Sequence, residues 1–308
     1  MHGYRVRRPT FDDVRPVVAV IRACEEADSG AAERSEEDVA VAWRLFDLER
    51  DVWLVVDADD RPVAAASVRS PQPVQIYAFV PVLPEHRGRG IGTHLAGLVE
   101  ERARERAQEA PPGSAVKLSQ QVGQHNDVAA SLLEAHGYSF GRRFWEMEIA
   151  LDGEPERPRW PEGIRVAPLE PGQDRAVFDA MHEAFRDHWG FVDHPYEDWR
   201  AWMVDRETFD PSLWLLAWAS EELAGASLCR VRDDGAGWVN VLGVRRPWRR
   251  LGLGLALLRH SFHEFRRRGA ERAGLDVDSE SITGATRLYE RAGMRVARHS
   301  DAYEKVLR

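Results

Sequence analysis

A short signature, Arg-x-x-Gly-x-Gly, stands twice in the chain, as Arg87-Gly88-Arg89-Gly90-Ile91-Gly92 and as Arg249-Arg250-Leu251-Gly252-Leu253-Gly254. Each copy follows an apolar run, Tyr77-Ala78-Phe79-Val80-Pro81-Val82 or Val239-Asn240-Val241-Leu242-Gly243-Val244, and precedes a stretch with helical periodicity. A strand that feeds a glycine-rich turn into a helix is a cradle for phosphate. The glycines let the backbone bend and approach a ligand closely, while the unpaired N–H groups of the first helical turn point at the anion. The helix dipole adds roughly 0.3–1 kcal/mol of attraction at an exposed site. Arg249 and Arg250 are ordinary solvated charges on most loops, but beside these glycines they offer forked donors to phosphate oxygens. The chain is therefore expected to hold a pyrophosphate-bearing cofactor.

Elements with a repeated order must position these turns. Residues 151–162, with Pro155, Pro158 and Pro161 among alternating charges, suit an extended connector, so the expected domains are 1–150 and 163–308. In the first half, strand Tyr4 to Arg8 leads to helices capped by Thr10 and Ser35, then to strands Asp51–Val56, Pro62–Arg69 and Val74–Val82. Beyond the glycine turn come helix Ile91–Gln108, strand Ala115–Gln120, helix Asp127–His136 and a last strand, Tyr138–Ile149. The second half repeats the series, with helices Arg175–Trp189 and Glu197–Val204, strands Leu213–Ala219, Leu223–Val231 and Trp238–Val244, and, after its turn, helix Leu253–Arg268. Strand Arg272–Val277, helix Gly284–Ala292 and strand Met294–Leu307 close it. This is an internal duplication of an α+β fold, each half a mixed sheet flanked by helices.

Bulk composition narrows the function classes. At 308 residues, 44% apolar and 30% charged, the chain reads as globular with room for two cores. Its net charge of −9 argues against nucleic acid as a partner. Cys24 and Cys229 stand far apart without metal-type spacing, which fits a reducing, cytoplasmic setting and no metal. No apolar run approaches a bilayer span, so no membrane partner is expected.

The fourth-strand apolar run, the glycine turn and the later Arg287-Leu288-Tyr289-Glu290-Arg291-Ala292-Gly293 segment together resemble the GNAT superfamily of N-acyltransferases, over essentially the whole chain and twice. The resemblance implies two tandem acyl-CoA-binding domains, each with a mixed, mostly antiparallel sheet flanked by helices. It assigns Leu242, Gly243 and Val244 to the pantetheine arm of acetyl-CoA and Arg249, Arg250, Leu251, Gly252, Leu253, Gly254 and Leu255 to the pyrophosphate. Val80, Val82, Arg87, Gly88, Arg89, Gly90, Ile91 and Gly92 are their counterparts in the first half. Tyr289 falls in the slot of the general acid that protonates the leaving thiolate, whereas the first half carries Leu133 there. The helix-start asparagine, present as Asn126, is replaced near Ser281 or Ile282 with a one-residue shift. A tandem pair with an inert first half is similar in architecture to the mycothiol synthase family. The glutamate which that family carries on the fourth strand of its active half falls on Trp238, so the acceptor does not carry over.

Acetyl transfer to a primary amine needs a proton acceptor, since a lysine-like amine with a pKa of ~10.4 is almost wholly protonated at pH 7. Asn240 on the fourth strand can orient water. Asp187, His188, Asp193 and His194, between the second half's first two helices, are stronger acceptors, although Asp193 and His194 equally suit a helix cap. With Trp189, Phe191 and Trp199 nearby, the segment suits a cationic amine with an apolar body. Asp276 and Asp278 either face the site or end the sheet. The expected activity is acetyl transfer from acetyl-CoA to the amine of a small molecule by direct attack, catalysed by the C-terminal domain in a monomer or homodimer. Acetylation of a peptide or protein amine, and a non-enzymatic acyl-CoA sensor or scaffold, are the alternatives.

Overall fold

A computed structural model describes every residue except Val192. In chain order the elements are β1 (Arg5–Arg7), α1 (Val14–Ser29), α2 (Glu36–Leu45), α3 (Leu48–Asp51), β2 (Val52–Val56), β3 (Pro62–Gln72), β4 (Gln75–Phe79), α4 (Ile91–Ala107), β5 (Lys117–Gly123), α5 (Asp127–Ala135) and β6 (Ser139–Ala150). There follow β7 (Ile164–Pro168), α6 (Asp174–Phe185), α7 (Tyr196–Met203), β8 (Trp214–Ala219), β9 (Glu222–Val231), β10 (Gly237–Val244), α8 (Leu253–Arg267), β11 (Arg272–Asp278), α9 (Ala285–Arg291) and β12 (Arg295–Val306). Local chemistry sets several starts. Ser35 caps α2, its hydroxyl accepting from the Asp38 amide at 3.0 Å while the Asp38 carboxylate accepts from the Ser35 amide at 3.0 Å. α6 stops four residues short of the expected Trp189, because residues 186–190 turn away from the helix axis.

The chain forms two compact units, residues 1–143 with 299–308, and residues 144–298. This corrects the boundaries read from the sequence. Each unit takes its closing strand from the other half of the chain: β12 pairs antiparallel with β5 in the first unit, Ser300 opposite Gly123, and β6 pairs antiparallel with β11 in the second, Phe144 opposite Asp278. The physical reason is that strand pairing is non-local, so alternation within β6 or β12 specifies a buried face and leaves the partner open. Residues 151–162 carry no helix or strand, as expected of a connector, and Arg266 of the second unit donates to the Leu151 and Gly153 carbonyls.

Both sheets are mixed and mostly antiparallel, with one parallel pair each, β4–β5 and β10–β11. In the second unit that pairing covers only Gly237–Ala273 and Trp238–Gly274. Both strands continue beyond it unpaired with each other, so from Val239 onward the edge of β10 facing β11 has free backbone donors and acceptors. A bulge between Val239 and Val241 adds to the divergence. One face of the second sheet, including Met147, Val239, Leu275 and Val277, is buried by Leu258, Phe262 and Phe265 of α8 and by Tyr289 and Leu288 of α9. On the opposite face α6 packs Val177 and Met181 over Trp214, Leu216 and Leu228.

Candidate active site

The two glycine turns share one geometry. Gly90 and Gly252 are the N-caps of α4 and α8, in the left-handed conformation at φ 79° and 86°, with no side-chain cap. A Cβ at either would meet nothing within 4 Å, so backbone conformation rather than space requires glycine there. Two residues earlier Gly88 has φ 73°, and its counterpart Arg250 takes φ 65°, a conformation costly for a side chain. The result is a continuous run of amides, Gly88 to Thr93 in one unit and Arg250 to Leu255 in the other, that donates to no protein acceptor among the described residues. Such a run concentrates partial positive charge and suits a pyrophosphate.

The side chains of the turn do other work. Arg87 Nε donates to the Val82 carbonyl at 3.1 Å, and Arg249 Nε to the Val244 carbonyl at 3.1 Å. Their remaining donors reach the preceding helix and its C-terminal end, Arg87 to Asp28 at 2.8 Å and Arg249 to the Ala184 carbonyl at 2.8 Å. These guanidiniums are engaged in shaping the loop, which differs from the forked phosphate contact expected of Arg249. Arg89 likewise donates to the Tyr4 hydroxyl and the Glu85 carbonyl. Ile91 and Leu253 are core residues, leaving only their amides to a ligand, and Leu251 is exposed. Val80 and Val82 pack on the first unit's core, and Leu242 and Val244 on the second's. Gly243 is buried under α6, where a Cβ would meet Met181 Sδ at 2.5 Å. The free edge of β10 thus offers Leu242 to Val244 through backbone more than side chain.

The last glycine of each signature fixes a register. A Cβ on Gly92 would lie 3.1 Å from Leu132, and one on Gly254 3.1 Å from Leu288, so α5 and α9 approach their turns through equivalent leucines. The next residue on each helix is then equivalent too: Leu133, fully packed, and Tyr289. Tyr289 is 8% exposed and burial pushes its phenol up to about 12. Its hydroxyl bonds no protein atom among the described residues and is not among the enclosed unpartnered polar atoms, so the oxygen meets accessible space. The helix starts differ as the sequence indicated. Asn126 caps α5 through the Ala129 amide at 3.0 Å, whereas α9 begins at Gly284 in a left-handed conformation.

The opposite face of β11 and β6 is polar. Asp276 and Asp278 alternate with buried Leu275 and Val277, and stand across from Glu146 and Phe144. Trp238 lies on the same face, its ring blocking any Cβ at Gly274. Arg298 pairs with Glu146 and, at 3.0 Å, with Glu148. Asp276 and Asp278, left open by the sequence, therefore lie on this polar face of the sheet. His188 is half-buried against Phe185, with ring centroids 4.5 Å apart. Burial, and then the Arg249 charge, hold its imidazole below the ordinary value, while Asp278 and Asp187 pull the other way. Its imidazole is therefore mainly uncharged at pH 7. Trp189, exposed, leans on Phe144 at 5.9 Å.

Other expected bases are engaged elsewhere. Asp187 is paired with Arg246 and lies 3.7 Å from Arg249, and the Arg246 hydrogen bonds hold its carboxyl below the usual range. Asp193 Oδ1 accepts from His182 Nε2 at 2.6 Å, and Pro195 rather than Asp193 or His194 caps α7. Trp199 packs on Trp214 and Phe178, and Phe191 on His182, so neither joins Trp189. Asn240 sits exposed at the bulge of β10. Phe144, Glu146 and Glu148 were missed as site residues because the sequence placed them in the first half. No local signal assigns them to β11, since only tertiary register does so.

The acetyltransferase (GNAT) family model matches residues 19–138 and 175–294. A mycothiol acetyltransferase of Thermobispora bispora is 30% identical over 300 residues, covering 93% of this chain and 94% of its own. A mycothiol acetyltransferase of Catenulispora acidiphila is 29% identical over 314 residues, covering 94% of each. Among solved structures, a GCN5-related N-acetyltransferase from Sphaerobacter thermophilus matches with TM-score 0.82 and 37% identity over 100% of this chain and 97% of its own. A tandem GNAT protein from the clavulanic acid biosynthesis pathway, at 17% identity, shares the fold with TM-score 0.76 over 98% of both chains.

Proposed function

This chain belongs to the acetyltransferase (GNAT) family, and from that premise we propose that its second unit is the catalytic one, acetylating the primary amine of a small molecule by direct attack. The donor is acetyl-CoA. The amides of Arg250 to Leu255 hold its pyrophosphate and the free edge of β10 holds the pantetheine amides as an added strand would be held. The relatives named for mycothiol acetylation support a small-molecule acceptor. The observation that carries the reading is the pair of titratable groups on opposite faces of the parting strands, a neutral His188 on one and a protonated Tyr289 on the other.

His188 takes one proton from the acceptor's ammonium, directly or through a water that Asn240 orients, and the free amine so formed attacks the thioester. As the C–N bond forms and the C–S bond breaks, Tyr289 delivers its proton to the departing sulfur, and the second proton that nitrogen sheds returns through water to the phenolate. Burial keeps the phenol protonated until that negative charge develops beside it, which matches its role as acid. Because the nucleophile is the substrate's own amine, no covalent enzyme intermediate is needed. The two cysteines, both buried with thiols pushed up to about 11, are inert and suit a reducing cytoplasm. Among the described residues no helix is long and apolar enough to cross a membrane.

The test is thiol release from acetyl-CoA across a panel of small primary amines. Turnover on at least one amine is expected, and Tyr289→Phe should abolish most of it while leaving the calorimetric affinity for acetyl-CoA nearly intact. Binding of acetyl-CoA without turnover on any amine, peptide amines included, would leave a sensor in place of an enzyme.

A further inference from the structure

The polar face of β11 and β6 carries a hydrophobic step that the transfer chemistry leaves unused. Trp189, 37% exposed, projects from the turn after α6 and meets Phe144 with ring centroids 5.9 Å apart and planes tilted by 56°. Phe144 is held there by antiparallel pairing with Asp278, and Asp278 acts electrostatically on His188, the residue beside Trp189 in the chain. The step therefore adjoins the base that deprotonates the acceptor. An exposed tryptophan resting on a half-buried phenylalanine presents a broad apolar surface at a place where the neighbouring side chains of β11, Asp276 and Asp278, are acidic.

We propose that Trp189 and Phe144 form the platform that seats the acceptor's body, so that the acceptor is a small cationic amine carrying a ring close to its nitrogen. The ring lies on the two aromatic faces while the carboxylates attract the ammonium toward His188. Phe144 acts as a specificity residue supplied by a strand that the sequence assigns to the other half. An aryl ring and the apolar face of a sugar ring share this chemistry. The inference rests on the transferase reading above and refines its acceptor.

The experiment uses the full chain and amines of matched charge: benzylamine and glucosamine as ring-bearing probes and n-hexylamine as the acyclic one. Two readouts are taken, thiol release from acetyl-CoA and calorimetric binding of each amine in the presence of coenzyme A. A ring-bearing amine should be preferred over n-hexylamine by about ten-fold in kcat/KM and in affinity. Trp189→Ala and Phe144→Leu should each bring that ratio toward one, with the KM for acetyl-CoA held within about two-fold. Preference for benzylamine alone, or for glucosamine alone, tells which ring the platform takes. A preference that survives both substitutions, or equal handling of all three amines by the unaltered protein, overturns the platform. Ring-selective binding that depends on Trp189, with no turnover, would instead uphold the platform and overturn the transferase reading. Trp189→Ala alters an exposed side chain and is the decisive variant should Phe144→Leu fold poorly.

Discussion

The two units build the same glycine turn and differ at the mouth beside it. Each has six free amides, a left-handed glycine at the helix start and an arginine bonded back to a strand-end carbonyl. In the first unit the end of β5 is locked against the end of α1: Asn126 Nδ2 donates to Asp28 at 2.8 Å, Arg87 meets the same carboxylate at 2.8 Å, and Gly123 packs on Asp28 and Ser29. In the second the corresponding arginine meets Asp187, and the chain runs on to set His188 beside Asp278 and Trp189 upon Phe144. The contrast separates holding from reacting. The turn depends on backbone conformation and a few glycines, whereas the proposed reaction depends on individual side chains, Tyr289 against Leu133 foremost.

Several substitutions would break or sharpen that contrast. The largest effect is expected from Tyr289→Phe, which should lower kcat by about 10²–10⁴-fold with acetyl-CoA affinity little changed, read by steady-state kinetics and calorimetry. Unchanged turnover would make the units chemically alike. Lys305→Met tests the first unit's stability. Lys305 on β12 reaches the buried Glu100 at 2.8 Å, and removing it should cost about 2–3 kcal/mol in denaturant unfolding. Burial alone would raise the Glu100 carboxyl, but the Lys305 and His136 contacts outweigh it and hold it below its usual 4.5. The stability it contributes is therefore present in full above that value and lost as pH falls through its folded pKa.

Smaller changes follow at the base and the turns. His188→Gln should reduce kcat/KM about ten- to hundred-fold. It should also remove the acidic limb of the pH profile, which in the unaltered enzyme falls as pH drops below the ordinary imidazole value of 6.5, since only neutral imidazole accepts a proton. Gly252→Ala, forcing a side chain into φ 86°, should raise the KM for acetyl-CoA roughly ten-fold. Gly90→Ala should leave turnover in place. The smallest effect is expected of Leu133→Tyr, which restores a phenol to the first unit and should yield no measurable gain, because the Asn126–Asp28–Arg87 lock remains. A gain in a Tyr289→Phe background would show the lock to be irrelevant.

Much of this was legible before any coordinates. The Ser35 cap, the succession of elements along the chain, the duplication and the glycine turns follow from local rules, and these elements form close to where the residues put them. Tyr289 was found through its register with the turn, which the matched Leu132 and Leu288 contacts reproduce. What was illegible is long-range. Whether Asp187 is a base or a tether depends on Arg246, 59 residues away. Trp199 and Phe191 look interchangeable with Trp189 by type and spacing, and only packing against α6 and β8 separates them. The last strand of each unit was recognised as a strand and left in its own half of the chain, because nothing in a short alternating run names its neighbour.

Synthesis from the ribosome turns that pairing into a timetable. Neighbouring domains on one polypeptide ordinarily fold in order of emergence, the first before the second is made. Here the N-terminal unit waits for Ser300 to Val306, translated after the whole second unit, before β5 gains its second neighbour. Cutting the gene at the proline-rich connector would give two fragments, each lacking a staple that the other carries, and co-expression should rescue solubility where separate expression does not.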